Sequence, residues 1–313
     1  MLERWSLRHI FFRSSDLSIN ITPLKDDCIR ETSDEMDWLF LYSPIAYANL
    51  IKRHKFGIFN VLDSSGCNVM SALVCLNFGV RSRQLVISTR SNFILDKRFW
   101  SIIDVIVNIQ KSTSILVEFI GGRDMPTDYK RFTPKDLHRA EFYVMDPDYS
   151  EGMLSYSQNH RRNIRRALSE EMKPFSLPTK SAMGVHLELW SESMNRRQDR
   201  GEPVAEPSGI DSIRRFLRSG LGRFVQFGKN DQILASAFLV EYGVSCVYYK
   251  AGANTEGMRL GAAHFLIHET AKDLLVRGFK IFNLGIAAAN NEGLRRFKAG
   301  FGANAIPIVR IYV

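Results

Sequence analysis

The sequence predicts an α/β protein of two tandem domains, each a mixed, mostly antiparallel sheet flanked by helices, divided at residues 146–150. Three observations lead there. The order of apolar patterns is the same in both halves, and the connections between patterns are short and rich in turn residues. In addition, 313 residues with 45% hydrophobic and 24% charged side chains suffice for two medium-sized cores.

In the first half, residues 1–148, apolar alternation marks strands at 18–22, 56–63, 69–79, 84–89, 114–121 and 140–146. Helical periodicity marks 33–53 and 97–111, and "DSSGC" at 63–67 has the Asp, Ser and Gly of a tight turn. The second half, residues 149–313, opens with a basic helical stretch, "SQNHRRNIRRALSEE" at 157–171. It continues with a weak strand at 173–177, helices at 182–200 and 209–219, and strands at 223–229, 233–243 and 244–252. A helix at 260–277, a strand at 280–285, a short helix at 289–300 and a strand at 306–313 complete it. Both halves therefore run strand, helix, three strands, helix, strand, with a further strand to close.

Composition excludes some classes of function. No window holds the eighteen or so apolar residues of a membrane-spanning helix, and Glu3 and Arg8 stand where a signal peptide needs an apolar centre, so a cytoplasmic protein is expected. Cys28, Cys67, Cys75 and Cys246 lack the spacing of a metal site or disulfide framework and are expected as buried free thiols. The net charge of +9 is unevenly placed: 19 Lys and Arg face 18 Asp and Glu in residues 1–148, against 23 facing 15 in residues 149–313. An excess confined to one half suits either a surface that meets phosphates or a generally solvated basic face.

The chain's last fifty residues carry its densest motif, "GLRRFKAGFGA" at 293–303. A helix there places Leu294, Phe297 and Phe301 on one apolar face, with Arg295, Arg296 and Lys298 projecting elsewhere; Gly300 and Gly302 end it and let backbone approach a neighbour or ligand. Attack of an amine on an ester or thioester develops negative charge on the carbonyl oxygen, and a cation such as Lys298 would stabilise it. Arg161 with Arg165, and Arg162 with Arg166, lie four residues apart on a helix, so like charges stack unless an anion or a neighbouring acid lies between them. "MRLGAA" at 258–263 keeps Gly261 and Ala263 of a diphosphate-holding Q/R-x-x-G-x-G/A loop, but Met258 takes the basic or amide position. His264 and His268 are four apart on the next helix, without the HExxH pattern, and are expected on a polar helix face. Candidates for a general base are Glu241, Tyr248, Tyr249 and Asn283, on strands bordering a cleft. The loops at 121–136 and 196–203 are expected to wall the acceptor site.

The element order is that of the Gcn5-related N-acetyltransferase (GNAT) fold, and two motifs sharpen the likeness. "GLRRFKAGFGA", after "GFKIFNLG" at 278–285, resembles the C-terminal signature of the FemAB-like transferases, and "HRRNIRRA" resembles the R-x-x-I-R-x-A of their basic helix. The resemblance implies two tandem GNAT-like domains, a degenerate acceptor-side first and a donor-side second. It implies transfer of an aminoacyl or acyl group to an amine of a cell-wall (peptidoglycan), polysaccharide or natural-product precursor, nucleotide- or lipid-linked, with peripheral membrane association as one setting. Aminoacyl-tRNA is the favoured co-substrate and acyl-CoA the alternative, with no tightly bound cofactor and no metal. It gives Lys298 a phosphate- or transition-state-binding role and the basic helix a diphosphate or RNA-backbone contact; with the residues read above, the expected site is Lys298, Tyr248 and Glu241 for catalysis, and Arg162, Arg165, Arg166, Phe297, Gly261, Ala263, Asn283 and Gly285 for substrate and donor binding. The chain lacks the coiled-coil arm of some members. A CoA-dependent N-acyltransferase acting on an amino sugar or small metabolite and a non-catalytic tRNA-binding protein remain the other readings.

Overall fold

The structure, a computed structural model, describes residues 10–13, 17–23, 55–78, 83–89, 114–120, 137–202 and 210–312. The helices expected at 33–53 and 97–111 and the loop at 121–136 lie outside these residues. The chain forms two compact units, residues 1–141 with 306–313, and residues 142–305.

Unit 1 contains β1 (Ile10–Arg13), β2 (Leu17–Pro23), β3 (Lys55–Asp63), β4 (Asn68–Phe78), β5 (Arg83–Thr89) and β6 (Ser114–Ile120). Strands β1 to β5 pair in succession, all antiparallel, and β5 then pairs parallel with β6. The turn between β3 and β4 forms because the Asp63 carboxylate accepts from the Ser65 and Cys67 amides, each at 2.9 Å. Cys67 is exposed in that turn, not buried as expected, because the turn projects from the sheet. The outer partner of β6 is β13 (Asn304–Tyr312), antiparallel, with Ile308 opposite Ile120. The closing strand of the second half thus belongs with the first unit, and the sequence-based division after 148 moves to 141 with residues 306–313 added.

Strand β7 (Leu137–Met145) and a 3-10 turn at Pro147–Met153 lead into unit 2. Its helices are α1 (Gln158–Ser169), α2 (Thr179–Asp199), α3 (Ile210–Arg218), α4 (Thr255–Leu260), α5 (Ala262–Val276) and α6 (Glu292–Ala299). Its further strands are β8 (Lys173–Phe175), β9 (Gly222–Lys229), β10 (Gln232–Tyr242), β11 (Ser245–Ala253) and β12 (Ile281–Ala288). Strands β8 to β11 are antiparallel neighbours in sequence order, and β11 pairs parallel with β12. This repeats the pairing of β2 to β6, so the duplication read from element order is a duplication of strand pairing as well.

Alternate residues of β10 go to opposite faces, as a pleated strand requires. Ala237 and Leu239 join the core built with Ile164 and Ala167 of α1 and Phe265, Leu266 and Ile267 of α5. On the other face, Phe238 packs on Phe216 of α3, and Ser236 meets His186 of α2 at 2.9 Å. Fully burying a side chain such as Phe238, Phe282 or Phe301 stabilises by roughly 2–3 kcal/mol, so each layer holds its helices firmly.

Candidate functional site

The β11–β12 ladder has only three rungs, Ser245–Ile281, Cys246–Phe282 and Val247–Asn283, although both strands continue. Where it ends, β11 also carries an irregularity: Phe238 faces Lys250 and Leu239 faces Tyr248, which leaves Tyr249 as the extra residue of a β-bulge. Its hydroxyl donates to Ser212 of α3 at 3.1 Å, while Lys250 lies 4.4 Å over the Trp190 ring of α2. Bulge and lost pairing together open a gap between two parallel strands inside the sheet.

Asn283, Gly285 and Lys298 shape that gap. The fully buried Asn283 side chain accepts from the Gly285 amide at 2.7 Å, holding Gly285 at φ +83, a conformation open to glycine at little cost. A side chain at Gly285 would meet Lys298 Nζ at 3.4 Å and the Tyr248 carbonyl oxygen at 3.5 Å, so these groups converge on one spot. Lys298 comes from α6, whose start is capped by Asn291 accepting from the Leu294 amide at 3.0 Å. The side chain is 6% exposed, its Nζ donates to the Ile286 carbonyl at 2.8 Å, and burial pushes its amine down to about 7, the Arg197 charge adding to the push. Burial raises the Tyr248 hydroxyl above its ordinary value, with Arg197 opposing, so it stays protonated across the neutral range.

Arg197, at the end of α2, acts on both groups and was not singled out from the sequence. Its own acidic contact is loose, 4.0 Å to Glu202, which Arg200 holds at 2.7 Å. The "RRQDRGEP" stretch marks this helix end as charged, but nothing in it distinguishes Arg197 from Arg196, which is taken up by Glu192 at 2.6 Å and the Ala253 carbonyl.

Several expected site residues are placed otherwise. Glu241 lies at the hairpin end of β10 and accepts from Arg223 at 2.5 Å and Arg277 at 2.7 Å. Burial works against its charge, but bonds from Arg277 and Arg223 outweigh this and hold the carboxyl below its usual range. A carboxylate kept anionic by two guanidiniums is a poor base for an amine, and it ties β10 to α5 instead. Phe297 is stacked among His160, His264 and Phe301 at centroid distances of 5.1–5.6 Å, within an aromatic cluster. A side chain at Gly261 would lie 2.5 Å from the Asn163 carbonyl oxygen, so the glycine lets α1 backbone approach closely; Ala263 is half-buried beside it against the core. His268 and His264 sit in an aromatic cluster with Tyr156, His160 and Phe297 rather than on a polar face, and burial lowers His264 to about 3. Among the described residues, no group of three or more His, Cys, Asp or Glu is placed to hold a metal ion.

Helix α1 buries His160, Ile164 and Ala167 and turns its arginines outward. Arg162 is held by Asn159 at 3.0 Å and Arg166 by the Arg259 carbonyl at 2.8 Å; Arg165 is exposed. This basic face is apart from the core, and Leu168 and Met258 are exposed at 50% and 57%.

Residues 155–299 match the family described as "Acetyltransferase (GNAT) domain". The matched segment runs from α1 to α6 and gives this part of the chain the GNAT fold. FemX shares the fold with a TM-score of 0.60 at 11% identity, over 93% of this chain and 96% of FemX. The C-terminal domain of a putative lysylphosphatidylglycerol synthetase from Agrobacterium fabrum is similar with a TM-score of 0.52 at 14% identity, over 92% of each chain. L-PGS from Bacillus licheniformis gives 0.51 at 11% identity, over 89% of this chain and 91% of that one. No curated protein matches the chain as a relative by sequence. No helix among the described residues is long and apolar enough to cross a membrane.

Proposed function

We propose that the chain transfers an aminoacyl group from aminoacyl-tRNA to the amine of a nucleotide- or lipid-linked precursor, with the strand gap as the place of transfer. The observation that carries this reading is Lys298, a buried amine titrating near neutrality where Tyr248, Gly285 and Ile286 converge. As the acceptor nitrogen bonds to the carbonyl carbon, it must lose a proton. Neutral Lys298 takes it and, now charged, stands beside the developing oxyanion. The ester bond to the carrier then breaks, and the leaving oxygen takes the proton from Lys298, which returns to its neutral form. Arg197 is the cation available for an anionic group of the acceptor.

The donor is argued from α1. Exposed Arg162, Arg165 and Arg166 form a basic face suited to a polyanion, whereas Met258 stands where the usual acyl-CoA loop has a basic or amide residue, which argues against acyl-CoA held there. The same arginines beside exposed Leu168 and Met258 would also suit an anionic membrane surface if the acceptor is lipid-linked. Titration with acetyl-CoA, and with mixed charged tRNA at two salt concentrations, tests the assignment. The expected result is salt-sensitive tRNA binding with no micromolar CoA binding, and Arg162→Glu should lower the affinity for tRNA roughly tenfold at low salt but little at high salt. Tight CoA binding unaffected by that substitution would replace this reading with a CoA-dependent N-acyltransferase.

A further inference from the structure

His160 stands where the two motifs of the second half meet. It belongs to the first turn of α1, is 4% exposed, and its Nε2 lies 2.7 Å from the carbonyl oxygen of Phe297, the residue before Lys298. A carbonyl only accepts, so Nε2 carries the hydrogen; Nδ1 of the neutral ring then accepts from the Ser157 hydroxyl at 2.8 Å.

The last turn of α6 shows what this bond does. A helix leaves its last carbonyls without partners of its own. Three of them are satisfied by the chain turning back: Arg296 by the Gly300 amide at 3.0 Å, Lys298 by Phe301 at 3.2 Å and Ala299 by Gly302 at 2.9 Å. The fourth, on Phe297, is met by the His160 ring. Two residues past Lys298, the Gly300 carbonyl accepts from the Ser157 amide at 2.8 Å, and a side chain on Gly300 would come 2.2 Å from His160 Cε1. The ring also packs against Phe301 at 4.4 Å and His264 at 4.6 Å, so it has no space in which to shift. The backbone on both sides of Lys298 is therefore fixed by the start of α1.

We propose that His160 is a positioning residue: donating from Nε2 to Phe297, it sets the depth at which the Lys298 amine enters the strand gap. Its functional meaning rests on Lys298 being the group that handles the proton in acyl transfer. Two further features agree with it. Burial holds the His160 ring below its ordinary value, and His264, the titratable group facing it from α5, is lowered to about 3, so both rings are neutral at neutral pH.

The test reads Lys298 directly and needs no substrate. The full chain is treated with trace acetic anhydride between pH 5 and 11, and acetylation of Lys298 is followed by peptide mass spectrometry in the parent, His160→Phe and His160→Gln. The parent should show a midpoint near 7. The phenylalanine fills the aromatic cluster without donating, and should raise the midpoint by about one unit or more, a tenfold change in the amine's proton affinity. Glutamine can donate to Phe297 and should restore most of the parent value. If His160→Phe does not fold, Ser157→Ala, which frees Nδ1 and leaves the ring in place, should move the midpoint in the same direction. A parent midpoint near 7 that stays fixed in every folded variant overturns the positioning role alone. A parent midpoint in the ordinary lysine range overturns that role together with the assignment of Lys298 to proton transfer.

Discussion

Lys298 is held in the fold at a cost that depends on pH. In the unfolded chain its amine has the ordinary lysine value near 10.4, and in the fold it titrates near 7. Between those values the unfolded chain binds the extra proton, so stability rises with pH from about 7 to about 10, and below 7 the penalty is fully present. Lys298→Met should therefore raise the melting temperature more at pH 6 than at pH 9 while lowering transfer about a hundredfold or more. Thermal scans at the two pH values check the first part, and an equal gain at both would contradict the buried-amine assignment. Glu241 is the opposite case. Because Arg223 and Arg277 occupy it, Glu241→Gln should lower stability by roughly 1–3 kcal/mol in urea unfolding and leave turnover per folded molecule unchanged. The sequence supplies the identities of such residues but not their neighbours: Glu241 has the right type on a candidate strand, and only the fold brings Arg277 to it from 36 residues away.

At the scale of elements, the features that depend on local pattern were legible. The basic outer face of α1, the turn at 63–67 and the repeated strand order follow from residue spacing, and the structure has each of them, whereas α6 ends at Ala299 before Phe301 and buries Lys298, with Leu294 and Phe297 only half-buried. Features that depend on pairing between distant residues were not. The three-rung β11–β12 ladder and the bulge at Tyr249 are properties of register, which no single strand encodes. Helix α4 has six residues and leads directly into Gly261, too short for its periodicity to stand out from the helix that follows. The glycines of "FKAGFGA" announced a close approach without naming what approaches. The structure supplies His160 and Ser155, and Gly300→Ala should accordingly cost about 1–3 kcal/mol, read as a lower urea midpoint with unchanged slope. A cost below a few tenths would mean that the ring moves aside freely.

At the scale of the whole molecule, each unit repeats one pairing scheme, and the chain returns to its first unit at the end. Arg310 of β13 donates to the fully buried Glu118 carboxylate of β6 at 2.9 Å. Removing one partner of a buried pair is expensive, so Arg310→Met should destabilise unit 1 by about 3–5 kcal/mol. Hydrogen exchange should then speed up at the amides of β6 and not at those of β10; equal acceleration in both would show that the substitution is felt throughout. The position of β13 also has a consequence for synthesis. A ribosome makes the chain in order, and residues 306–313 follow all of unit 2, so β6 must wait for its outer neighbour until some 185 residues later have been made. Until then the first unit has an open strand edge of the kind that attracts other chains. The earlier half, although made first, is thus completed last, and it is the half that would need a chaperone's protection in the meantime.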